Sequence, residues 1–231
     1  MSLSIESVNS DNFSNQIPES IQQLINQVKE NHYEELYEEE ADGNVSLQEN
    51  LIELIEALEA KDDRSLTNKR FVCLGFFLAL AVTPTIEAYF PENSIASQVF
   101  PLVLNYQSDP QDIPEPQQID LLFPDVSWGY QAVDEAMNVL HNLLLMLTPF
   151  PVKGCLLDML DDCLEGYAII SGSHYRRKLF DWFLLDLYPR AYQQVFPKSL
   201  FTIKDKSPVS PSILSKYFPS NVDRKEEQVE K

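Results

Sequence analysis

The sequence predicts an all-α protein: an irregular multi-helix bundle around a central apolar helix, with an acidic N-terminal helical pair and disordered tails. Three observations carry this expectation. Apolar residues recur with a helical period over long segments, no run alternates apolar and polar residues as a strand would, and only six glycines interrupt 231 residues. With 44% hydrophobic residues the chain can build a sizeable core.

The organising element is Lys69 to Val82, KRFVCLGFFLALAV. Its run of about twelve apolar residues is too short for a membrane span, which needs roughly 20. It suits a helix buried on every side. Lys69 and Arg70 close one end and Thr83-Pro84 the other, because proline lacks the N–H that a helix interior uses.

Ahead of it, residues 1–16 read as a polar tail. Pro18 suits a first helical position, and Ile21, Leu24, Ile25 and Val28 lie on one face of a helix reaching about Tyr37. After the acidic stretch EELYEEEADGN, Leu47, Leu51, Leu54, Ile55 and Leu58 mark a second helix, begun by a Ser46/Glu49 capping box. The polar run KDDRSLTN, 61–68, separates this acidic hairpin, 17–63, from a helical core domain, 64–198.

Past the central helix, aromatic–proline pairs punctuate the chain: Phe90-Pro91, Phe100-Pro101, Phe123-Pro124, Phe150-Pro151, Tyr188-Pro189, Phe196-Pro197 and Phe218-Pro219. Each is expected to end a helix and leave a ring there as an apolar peg. The stretch QSDPQDIPEPQQID, 107–120, is expected to be irregular. Val133, Ala136, Met137, Leu140, Leu144 and Leu147 share one face of the next helix. Val152 to about Ser171 forms another, with Cys155, Leu156, Met159, Leu160, Cys163 and Tyr167 on one stripe and Gly172 as its stop. A helix capped by Ser173 runs from His174 to Tyr188, and residues 199–231 form a polar tail.

Composition excludes some functions. A net charge of −19 repels nucleic acid and anionic lipid at long range. Residues 1–63 hold 16 acids and 2 bases, so most of that charge is N-terminal. Cys73, Cys155 and Cys163 lie in apolar helical contexts without C-x-x-C spacing, as reduced core cysteines do, and the N-terminus has no secretory pattern. Cytoplasm is the expected compartment.

Three constellations could carry chemistry. With Gly43 at the sixth position of a calcium loop, Glu38, Glu40 and Asp42 fall at positions one, three and five, and Glu49 closes the loop. Glutamate is long for such a cage, and capping already accounts for Glu49, so a solvated acidic linker competes with this reading. Asp158, Asp161, Asp162 and Glu165 project from one side of a helix, as magnesium-binding carboxylates do. That side lies opposite the apolar stripe, which is also where a water-facing surface belongs. His141 with Asp134 offers a base and a carboxylate, but no nucleophile signature accompanies them.

A fourth feature points to association. Tyr175, Arg176, Arg177, Trp182, Tyr188 and Tyr192 combine aromatics and arginine, which protein interfaces favour. The reading is a non-catalytic cytosolic protein that binds another protein as adaptor, assembly factor or regulator. Nucleic acid and membrane spanning are not expected, and self-association stays open. Calcium is the one cofactor the residues suggest. The alternatives are a calcium-responsive module and a metal-assisted helical enzyme.

Overall fold

A computed structural model describes residues 17–36, 45–108, 113–123, 127–169 and 175–195. The described residues are helical and contain no strand. In order they form α1 (Glu19–Glu30), a short 3-10 turn (Glu34–Leu36), α2 (Leu47–Ala57), α3 (Arg64–Tyr89), α4 (Ile95–Ser108), α5 (Pro116–Leu122), α6 (Gln131–Leu145), α7 (Val152–Leu164), α8 (Arg176–Trp182), a π-helical turn (Phe183–Leu187) and α9 (Tyr188–Gln193). They all belong to one compact unit, Met1–Phe201.

The bundle is built around α3, which packs on α4, α6, α7 and α9. From Arg70 to Val82 every residue of α3 is buried. The helix is longer than its apolar run. Asp63 caps it by accepting the N–H of Leu66 at 2.9 Å, so the polar run at 61–68 contributes its first turn. At the other end α3 continues through Pro84 to Tyr89. The turn beyond the proline is held from outside, with Ile86 buried and the Thr85 hydroxyl donating to the Ala168 carbonyl at 2.6 Å. By length and composition alone, α3 could cross a membrane; 83% of its most apolar window is buried inside the fold.

Proline fails as a stop signal elsewhere too. Pro101 lies inside α4, and Pro189 sits in a helical stretch that runs unbroken from Arg176 to Gln193. Just before Pro189 the helix widens into its π turn, where the Tyr188 N–H donates back to the Phe183 carbonyl. That wider turn relieves the clash between the proline ring and the preceding turn. By contrast, Phe90 and Phe123 do stand at the ends of α3 and α5. Phe150-Pro151 separates α6 from α7. The pairs at 196–197 and 218–219 lie outside the described residues.

Other boundaries differ from expectation for local reasons. α1 ends at Glu30, because Tyr33 folds back and donates its hydroxyl hydrogen to the Val28 carbonyl at 2.9 Å. Residues 116–122 are helical where an irregular loop was expected. Pro116 suits the first helical position, and the Gln118 side chain accepts the Glu115 N–H at 3.3 Å. α7 ends at Leu164, well before Gly172. Gly166 turns the chain there, packed so closely that an added Cβ would lie 2.6 Å from both the Asp162 carbonyl and Glu135. In α2 the Ser46 hydroxyl accepts the Glu49 N–H at 3.4 Å, the cap that the sequence predicts.

Candidate interaction surface

One end of the bundle collects the C-terminus of α3, the N-terminus of α6 and the turn that follows α7. α3 and α6 are antiparallel, so Tyr89 and Phe90 meet Trp128 and Tyr130. Ring centroids are 4.8 Å apart for Tyr89–Tyr130, 5.5 Å for Phe90–Trp128 and 6.2 Å for Phe90–Tyr130. Tyr89 is 44% exposed and Tyr130 52%. Large aromatics usually spend their area inside a core. Here four of them pack tilted or edge to face against one another, with both tyrosines at the surface.

The turn that presents them is stiff. Asp134, in the first turns of α6, accepts the Ser127 hydroxyl at 2.8 Å and the Trp128 N–H at 2.6 Å, while the Ser127 hydroxyl oxygen accepts the Gly129 N–H at 3.1 Å. Gly129 has φ +79°, a conformation that side chains resist. The backbone that carries Trp128 is thus held by the turn's own hydrogen bonds.

The α6–α7 side of this end carries carboxylates. Glu135 accepts the Tyr167 N–H and faces Asp162 across the α6–α7 contact. Burial, then the charges of Glu135 and Asp161, push the Asp162 carboxyl up to about 7. Burial and neighbouring acids raise Asp161 and Glu165 in the same direction. Oδ2 of Asp162 is buried with no hydrogen-bond partner among the described residues. Tyr167, in the same turn, is 50% exposed.

The residues singled out from sequence distribute differently. Glu38, Glu40 and Asp42 lie outside the described residues; Glu49 sits in the first turn of α2. Asp158 and Asp161 face solvent, whereas Asp162 turns toward α6 and Glu165 caps α7. Among the described residues no three His, Cys, Asp or Glu side chains are grouped as a metal ion would require. His141 stacks on Phe123 at 5.0 Å, and burial lowers its pKa; Asp134 is committed to the turn at 127–129.

The arginines serve helix ends. Arg176 is buried and donates to the carbonyls of Leu164, at 2.7 Å, and Glu165 at the end of α7. Arg177 donates to the carbonyls of Lys29 and Asn31 at the end of α1. Arg70 reaches Leu58 at 3.1 Å and Tyr192 at 3.0 Å, with its guanidinium 3.6 Å above the Tyr192 ring. Each meets carbonyls that a helix terminus leaves unpaired. Tyr188 is fully buried and donates to the Leu54 carbonyl at 2.7 Å. Tyr175, Arg177, Trp182 and Tyr192 keep partial exposure.

Sequence reasoning passed over the aromatic end, although a signal for it exists. From Phe71 to Val152 the chain contains no lysine or arginine. No family model, curated protein or solved structure matches this chain.

Proposed function

We propose that this is a non-catalytic helical protein that acts by binding another protein, as an adaptor, assembly factor or regulator, through the aromatic end of its bundle. The observation that carries the reading is the Tyr89, Phe90, Trp128 and Tyr130 cluster, whose two tyrosines are about half exposed and whose Trp128 turn is held by Asp134. Rigid aromatics ringed by polar groups are what binding hot spots are made of, because little conformational entropy is lost when they are covered. The reading includes a cytosolic setting, consistent with three buried, unpaired thiols. Burial pushes the Cys155 thiol up to about 11 and raises Cys73 and Cys163 as well, which suits packing better than nucleophilic work. Burial of most of α3 inside the fold supports treating it as a core helix.

The test is quantitative capture from cells with the wild-type chain and with Tyr89→Ala/Tyr130→Ala as baits. A partner retained by the first and lost about tenfold or more by the second, with circular dichroism unchanged, is the expected result. Equal recovery of every bound protein by both baits would refute the assignment.

A further inference from the structure

We infer that the segment docking on this end is cationic: an arginine- or lysine-bearing stretch of another protein whose positive groups lie over Tyr89 and Tyr130 and beside Glu135, Asp161 and Asp162. This rests on the interaction reading above and adds the partner's chemistry. The argument is charge complementarity. Residues 71–175 hold thirteen acids and one base, a net of −12. The single base, Lys153, pairs with Glu59 at 2.5 Å. Glu56, in α2, and Glu59, just after it, meet Lys153 at the start of α7, the end of that helix away from the turn at Tyr167. Arg176 is brought against the aromatic end from α8, but it is buried, its guanidinium lies 5.3 Å from the Tyr167 ring centroid, and it donates to the last carbonyls of α7.

Glu135, Asp161 and Asp162 therefore crowd one another with no ion pair among the described residues, and neighbouring acids add to the effect of burial on Asp161 and Asp162. Tyrosine faces attract guanidinium and ammonium groups, and adjacent carboxylates strengthen that attraction. The Arg176–Tyr167 contact shows the same chemistry used inside the molecule. A purely apolar partner would leave these carboxylates desolvated and uncompensated. A cationic one neutralises them.

The test uses the full chain and a fluorescein-labelled arginine–glycine–serine peptide, with its citrulline counterpart as a probe of the same shape but without the charge. Anisotropy titrations at pH 8, above the range in which Asp162 titrates, compare wild type, Tyr89→Leu/Tyr130→Leu, Asp161→Asn/Asp162→Asn and Glu30→Gln/Glu34→Gln. The last removes the same charge from the N-terminal segment. We expect the citrulline peptide, the tyrosine pair and the aspartate pair each to weaken binding about tenfold or more, and the glutamate pair to stay within about twofold. Equal losses from both charge pairs would mean diffuse attraction to an acidic protein and would overturn the inference. Equal binding of the citrulline peptide, or concentration-dependent dimerisation that buries Tyr130, would overturn it as well. If cellular capture still needs the tyrosines while the arginine peptide ignores them, only the cationic assignment falls; if neither needs them, both fall.

Discussion

The carboxylate of Asp134 accepts the backbone N–H of Trp128 at 2.6 Å, tying the start of α6 to a residue six positions earlier. Its other oxygen takes the Ser127 hydroxyl at 2.8 Å. An acid in the first turns of a helix also complements the helix dipole. One side chain thus both complements the N-terminal end of α6 and fixes the turn carrying Trp128 and Tyr130.

Asp134→Ala should cost about 1 kcal/mol of stability, the usual scale of a lost hydrogen bond. It should also loosen Trp128, making tryptophan fluorescence more accessible to acrylamide and weakening partner capture. Unchanged quenching would show that the turn holds its shape without the carboxylate.

Asp162 makes stability depend on pH in an unusual direction for an acid. Its carboxyl rises from 3.8 to about 7 in the fold, so the native state keeps a proton that the unfolded chain releases in between. The stabilisation is complete below about pH 4 and is lost as pH rises toward 7. Felt in full, such a shift is worth about 4 kcal/mol. The carboxyl keeps some contact with solvent, so roughly half of that is expected. Urea midpoints at pH 5 and pH 8 should differ less in Asp162→Asn than in the wild type. An identical difference in both would move the effect to other groups.

Arg176 should matter for folding. Arg176→Met leaves the Leu164 and Glu165 carbonyls without their donor and should cost about 2–3 kcal/mol. Arg176→Lys, with one compact ammonium in place of a planar fork, should recover part of that. Urea unfolding measures both. Wild-type stability in Arg176→Met would mean that water replaces the guanidinium at no cost.

How much of this could be read in advance depended on the range of the interactions involved. The period of 3.6 residues shows the apolar faces of α2, α6 and α7 directly, since each is a property of one short window; Val133, Ala136, Met137, Leu140 and Leu144 are all buried. The Ser46 cap is equally local. Proline misled because its cost of about 3 kcal/mol in a helix is a local preference. Around Pro84 and Pro189 it is outweighed by packing on residues far away in the chain. The capping of α1 by Arg177 joins residues 148 apart to Lys29 and 146 apart to Asn31, which no window can hold.

The candidate surface follows the same division. By itself the sequence determined the helical class, the buried character of the central helix and the long stretch without a single basic residue, because composition and period are local sums. Only the tertiary structure brought Tyr89 and Phe90 against Trp128 and Tyr130, set Glu135 across from Asp162 and drew Arg176 inside. Those neighbours are chosen by how α3, α6 and α7 pack, and packing compares surfaces that the chain order does not place side by side.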